Sequence, residues 1–403
     1  MIYLLIIVLL IFLSIGYDSG KVTSNKKLWY RITLLLFILI AGFRWRVGGD
    51  TASYLTAFYE NVPYLWNITI DDFIYNRQEP LFLLLNSCVK SLGCGFYVVQ
   101  LIQATIVNAL VFRYIKKHCP YLFSCLLLYF VWFYVFLNFE EMRAGISVAI
   151  CLFANDYVLE KKWVKGLPLY LLATLFHYSA IILLVTPFLL FLKFDFKGIL
   201  FLIFAFVFGF FVKLYIGDYL FLFEISETTT DKMTAFVEQE RYLSQELNIF
   251  GVINVIGPML FYGILSYLKI KKKGLNNKAY LDALQLQPFV ILGLFWVLVT
   301  VFVPLGYRFV RFYQLYLAIY VTILLSDTLF KNKLKRMIAL CYWTILFVPM
   351  LWTLFCLYIQ PDPYTELRGY QKYIPYCTIF DREISKDREM IYDVDKAYDK
   401  KYY

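Results

Sequence analysis

The stretch GILFLIFAFVFGFFVKLY, residues 198–215, is a continuous apolar run with one charge, Lys213, and no acid. Wound as a helix at 1.5 Å per residue it reaches about 27 Å, close to the ~30 Å hydrocarbon core of a bilayer. It lacks the two-residue alternation of a barrel strand, so it reads as a transmembrane helix. Working outward, similar runs fall at 1–16, 28–43, 96–115, 121–138, 143–159, 163–176, 178–192, 249–268, 281–303, 309–326 and 337–359, twelve in all. Composition agrees: the 403 residues are 61% apolar and only 17% charged, with a mean hydropathy of +0.64. A soluble fold cannot hide that much apolar surface, which excludes a soluble enzyme, a secreted domain and a disordered chain. The expected fold is all-α: a polytopic transmembrane bundle of about 12 spans. One membrane domain covers 1–360, followed by a polar extracytoplasmic tail, 361–403.

The first run, Met1 to Gly16, has no basic start and no small-residue cleavage site, so it is expected to be a retained span. The stretch 80–92 is too short and mixed to span and is expected to be a half-helix at the surface. The region 167–191 is split at His177 into two spans. With that split, Lys21/Lys26/Lys27, Lys116/Lys117, Lys161/Lys162/Lys165, Lys193/Lys197, Lys269/Lys271/Lys272/Lys273 and Lys331/Lys333/Lys335/Arg336 all fall on one side. The positive-inside rule makes that side the cytoplasm and places both termini outside. Eight cysteines, among them Cys125, Cys151, Cys341 and Cys356, give no metal or redox pattern and read as packing residues.

The outward connections hold a different set: Arg44, Arg46, Asp50, Glu79, Glu140, Arg143, His177, Arg308 and Arg311. Lysine is a point charge, whereas arginine offers a planar fork that grips phosphate oxygens in pairs. Arginines gathered at span ends suit an anionic diphosphate, or else they snorkel to lipid head groups. The paired glycines of Arg44-Trp45-Arg46-Val47-Gly48-Gly49-Asp50-Thr51-Ala52-Ser53-Tyr54 permit a tight turn near a ligand, with Asp50 as a base, an arginine partner or a helix cap. Glu140 and Arg143 either face a substrate or pair with each other at i, i+3. His177, in an apolar run, is a hydrogen-bonded core residue or a catalytic one; His118 reads as bland. No P-loop, Rossmann glycine pattern, metal-ligand spacing or nucleic-acid signature is present, and buried mid-span acids are scarce, which argues against an ion-coupled transporter.

Several motifs in order resemble the EpsG family of Wzy-like polysaccharide polymerases. They are Arg44-x-Arg46-x-Gly48-Gly49-Asp50-x-x-x-Tyr54, Glu79-Pro80-Leu81-Phe82, Asn138-Phe139-Glu140-Glu141-Met142-Arg143, Phe176-His177-Tyr178-Ser179-Ala180, Arg308-x-x-Arg311 and Tyr373-Ile374-Pro375-Tyr376. The family more often has Gly-Thr-Asp where this chain has Gly-Gly-Asp, and Arg-Gln where it has Arg143-Ala144. The resemblance implies a multi-pass glycosyltransferase of the bacterial inner membrane, related in fold to lipid-dependent multi-span glycosyltransferases and needing no metal or other cofactor. Such proteins move a growing O-antigen, capsular or exopolysaccharide chain from undecaprenyl diphosphate to the next lipid-linked repeat unit. Implied partners are the polyprenyl-diphosphate-linked oligosaccharide, membrane lipids, a flippase and a chain-length regulator, with no nucleic acid. Catalytic candidates are His177, Glu140 and Asp50, with the base unresolved among them. Substrate-binding candidates are Arg44, Arg46, Arg143, Arg308, Arg311, Glu79 and Tyr54. The alternatives are a flippase or transporter for lipid-linked oligosaccharides, a related glycan ligase, or a membrane acyltransferase.

Overall fold

The computed structural model of the chain describes residues 2–76, 78–215, 285–300, 302, 306–331, 359, 367–381 and 386–402. The expected span 249–268, nearly all of 337–359, the connection 216–248, Cys341, Cys356, Lys269, Lys271, Lys272, Lys273, Lys333, Lys335 and Arg336 lie outside the described residues.

The described residues form helices and no strand, with one isolated antiparallel bridge between Arg44 and Thr378. Helix α1, Ile2–Leu13, runs into a π turn, Ser14–Asp18, and α2 spans Lys26–Gly42. The outward connection carries α3, Thr51–Thr56, and α4, Ile70–Tyr75, which starts from a Thr69–Asp72 capping box. Helix α5, Pro80–Ser91, opens with proline at its first turn, where no N–H is needed. Helix α6, Phe96–His118, ends on Lys116, Lys117 and His118, the charges its C-terminal dipole favours. Helix α7, Leu122–Tyr129, passes into π turns at Phe130–Tyr134 and Phe136–Glu140 before α8, Met142–Leu159, and α9, Trp163–Phe176. A 3₁₀ segment, Tyr178–Leu189, leads to α10, Phe196–Tyr215. Then come α11, Gln287–Thr300, the short α12, Tyr307–Val310, and α13, Gln314–Lys331. The tail holds a 3₁₀ turn, Gly369–Lys372, and α14, Lys386–Tyr402.

Three of these helices are long and apolar enough to cross a bilayer: α6, α8 and the Phe196–Lys213 part of α10. Among the described residues, the runs at Ile2–Asp18, Leu122–Tyr134, Trp163–Phe176, Tyr178–Leu189 and Gln287–Thr300 hold shorter helices, and π turns and the break at His177 interrupt them. That break is real. His177 is extended (φ −158°, ψ 116°), and Thr186 returns beside Tyr170, so α9 and the 3₁₀ segment form a hairpin with His177 at its turn. Helix α5 packs on the 57–67 connection rather than descending. The Ser87 hydroxyl donates to Pro63 O at 2.7 Å, and Leu65 N–H donates to the Ser91 hydroxyl at 2.7 Å.

The core between α6, α7 and the π turns is not purely apolar. Asn108 Nδ2 donates to Asn138 Oδ1 at 2.8 Å, and Tyr129 donates to Asn108 Oδ1 at 3.1 Å. All three side chains are fully enclosed. With no water to take these groups, each amide must find a partner across the interface.

Charge divides the bundle into two ends. At one, Lys26 pairs with Asp18, Lys117 and His118 both meet Asp156, and Lys162 pairs with Glu160. At the other lie Glu79, Glu140, Glu141, Arg143, His177, Arg308 and Arg311, because α6, α8 and α9 run their full lengths between the two sets.

Candidate functional site

Glu79 sits immediately before the first turn of α5 and is 4% exposed. Its Oε2 accepts from Arg143 Nη1 at 2.5 Å, in the first turn of α8. Its Oε1 faces His177 Nδ1 at 2.9 Å, at the hairpin turn. One carboxylate therefore gathers three elements far apart in sequence. Burial opposes the charge on Glu79, but Arg143 and His177 outweigh it and hold the carboxyl down at about 2. An ionised acceptor at Nδ1 assigns the proton of neutral His177 to that nitrogen and leaves a lone pair on Nε2. Nε2 has no hydrogen-bond partner among the described residues. This is the geometry in which a carboxylate orients a histidine base.

Tyr54, buried on α3, carries the cluster onward. The Arg143 guanidinium lies 6.0 Å from its ring centroid and bonds its hydroxyl. Beyond it, Glu140 accepts Gly49 N–H at 2.6 Å and Asp50 N–H at 3.2 Å. Glu140 and Arg143 do not pair with each other. The glutamate instead fixes the Gly-Gly-Asp turn. A Cβ on Gly49 would lie 2.6 Å from Glu140 Oε2 and 3.2 Å from Lys372 Cδ, so a larger residue there requires those side-chain ends to shift. Gly48 has φ +117°, where a side chain is strained.

Asp50 stands at the cap position of α3, yet its side chain makes no capping bond. Its own surface stays open to solvent while protein crowds it from the other sides. Desolvation first, and then the negative charges of Glu140 and Glu141, raise its carboxyl to about 8, so it is mostly protonated at neutral pH. Arg311 completes this side, with Nε 3.3 Å from Glu141 Oε1 and its guanidinium 4.2 Å from the Phe136 centroid. Arg308, in α12, bonds the Tyr307 side chain beside it.

The structure thus brings together Glu79, His177, Arg143, Tyr54, Asp50, Glu140, Arg308 and Arg311. Two expected substrate residues have other engagements. Arg44 is wholly enclosed, with Nε on Val47 O, Nη1 on Ala41 O and Nη2 on the Met142 sulfur. Its fork is satisfied by its own chain. Arg46 lies between the Trp45 and Tyr392 rings, at 5.6 and 4.5 Å. Among the described residues no three His, Cys, Asp or Glu converge as metal ligands.

Sequence reasoning named Glu141 within a motif but gave it no role, and did not single out Lys372 or Arg388. Glu141 had a readable signal: of two adjacent acids at a span edge, one facing the Gly-Gly turn leaves the other needing a cation elsewhere. Lys372 directly precedes the Tyr373-Ile374-Pro375-Tyr376 motif, which marks its neighbourhood but not its side chain, and Arg388 stands in a charged segment with no motif. Yet the tail is bonded to the site. Trp45 N–H donates to Cys377 O, Gly48 N–H to Lys372 O and Ile379 N–H to Phe43 O, at 2.9, 2.9 and 3.0 Å.

A family profile described as the EpsG family matches residues 27–377, most of the chain. No curated protein and no solved structure matches it.

Proposed function

The chain belongs to the EpsG family, and from that premise we propose that it is a polysaccharide polymerase working at the extracytoplasmic face of a bacterial cytoplasmic membrane. Its substrates are glycans carried on a polyprenyl diphosphate. The observation that carries this reading is the joint at Glu79, which orients a histidine with an open Nε2 beside arginines at one end of an apolar bundle.

The chemistry follows from those groups. The acceptor sugar's hydroxyl oxygen attacks the anomeric carbon of the donor glycan, and its proton passes to His177 Nε2. The bond from that carbon to the diphosphate oxygen breaks, and its electron pair stays on the diphosphate. Arg143, Arg308 and Arg311 offset the charge that develops there. Glu79 holds the histidine and Arg143 in register. Glu140 shapes the Gly49–Asp50 turn, so its two oxygens are occupied, which favours His177 over Glu140 as the base.

The test is reconstitution in detergent with defined lipid-linked repeat units. Wild-type protein extends the glycan. His177→Ala and Arg143→Ala variants remain membrane-inserted but lose about 10²–10³ in rate. Absence of chain growth by the wild-type protein on units supplied in detergent, where no transport is needed, supports the carrier alternative instead. Wild-type chain lengths from both variants overturn the assigned site.

A further inference from the structure

The polar tail beyond the family match ends in a helix whose buried Arg388 reaches into the site. Arg388 of α14 is 1% exposed. Its Nη1 donates to Arg46 O at 3.2 Å and to Lys372 O at 3.1 Å, its Nη2 to Gln371 O at 2.7 Å, and its Nε to Pro375 O at 3.2 Å. Four carbonyls from two separate segments are held by one rigid fork, a geometry lysine cannot reproduce with a single nitrogen.

Both segments are built into the candidate site. Arg46 begins the turn that carries Gly49 and Asp50, and it has φ +53°, a left-handed conformation that costs a non-glycine residue about 1 kcal/mol. Its carbonyl is held by Arg388 and its guanidinium lies over Tyr392 of the same helix. The carbonyl of Lys372 accepts from both Arg388 and Gly48 N–H, which joins the tail to the Gly-Gly turn at one atom. The Lys372 side chain then runs past Gly49, alongside the Glu140 carboxylate. Its ammonium also acts on Asp50, offsetting part of the upward shift there.

We propose that Lys372 is a further cation for the leaving diphosphate and that Arg388 is the positioning residue that sets it, together with the Gly49–Asp50 turn, in place. This rests on the polymerase reading above and deepens it. Lys372 and Arg143 both act on Asp50, the first from beside the Gly49 turn and the second from the Glu79 joint, so the two cations reach the cluster from different elements.

The experiment is a double-mutant cycle of Lys372→Gln and Arg388→Lys in purified, folded protein, read as turnover at saturating polyprenyl-diphosphate-linked units, with thermal melting in detergent alongside. Lys372→Gln leaves the backbone carbonyl intact and is expected to lower turnover about 10–10²-fold with little change in melting. Arg388→Lys is expected to lower turnover about 10²-fold per folded molecule, the scale of a 1 Å misplacement. In the Arg388→Lys background, Lys372→Gln then costs much less than in the wild type. Equal costs in both backgrounds, unchanged turnover in Lys372→Gln, or an Arg388→Lys effect confined to melting overturns the proposal. Should Arg388→Lys give no folded protein, Tyr392→Leu loosens the same helix from Arg46 while keeping the four carbonyl bonds, and the same comparison applies. Failure of the wild-type protein to extend glycan removes the polymerase reading itself, a separate outcome from an active wild type with additive mutants.

Discussion

Glu79 shows how much one carboxylate can carry. Glu79→Gln keeps the shape but removes the charge that holds Arg143 and orients His177. It is expected to lower turnover about 10²-fold, comparable to misorienting the base, in the reconstituted assay. Its carboxyl, held at about 2, lies below its ordinary value, so its contribution to stability is full above pH ~4.5 and fades as pH falls toward 2. Melting followed from pH 5 to 2 should therefore drop more steeply in the wild type than in Glu79→Gln. Asp50 has the opposite sign. A carboxyl raised to about 8 is protonated in the fold while the unfolded chain is already ionised, so stability declines as pH climbs from ~4 to 8. Asp50→Asn removes that decline: it should melt higher than wild type at pH 8–9 and alike near pH 4. Every member of the Glu79 cluster was legible in the sequence as a charged or titratable group at a span end. What the sequence could not supply was the pairing, because i, i+3 spacing offered Glu140 as a partner for Arg143 whereas the fold brings Glu79 to Arg143 from 64 residues away.

At the scale of elements, two close contacts set where the site residues stand. Gly145 lies in the first turn of α8, two residues from Arg143. A Cβ there would come 2.1 Å from Leu137 O, a backbone atom that cannot swing aside. Gly145→Ala is expected to push α8 off the π turn before it and lower stability by about 1–3 kcal/mol. Thermal melting should register that loss. The amide contact between α6 and the second π turn makes a second prediction. Asn138→Leu takes one partner from Asn108, which keeps Ala104 O and the Tyr129 hydroxyl, and should cost about 1 kcal/mol, while Asn108→Leu/Asn138→Leu together cost less than the two single changes summed. Helices here were readable from hydropathy, and so was the interruption at His177, where charge bookkeeping demanded a reversal. The π turns at 130–140 were not, since a run of Phe, Trp, Tyr and Val holds no breaker and looks like uninterrupted helix. Their extra residues per turn are an effect of packing against α2 and α8, a tertiary cause that no local pattern records.

For the whole molecule, the lysine clusters and the outward arginine set were legible in the sequence, and the described ion pairs put Lys26, Lys117 and Lys162 at one end and Arg143 and Arg311 at the other, where Lys372 joins them. The docking of the tail was not legible: a polar stretch carries no hydropathy signal, and its backbone bonds to residues 43–48 come from the fold. Orientation makes a direct prediction. A reporter fused after Tyr403 that is active only outside the cytoplasm should work, and one that requires the cytoplasm should not; the reverse result would put the arginine end on the wrong side for a flipped substrate. The enclosed amide contact of Asn108 with Asn138 has a consequence for the membrane itself. Sliding α6 by one helical turn would shift it 5.4 Å and part Asn108 from Asn138, which stands just before the helix that carries Arg143. The depth of the reacting groups is therefore gauged by protein alone, like a mark cut on a ruler. In thicker or thinner lipid the acyl chains must stretch or compress to meet it, and turnover should vary with acyl length through the bilayer's deformation rather than through any change in the spacing of the charged groups.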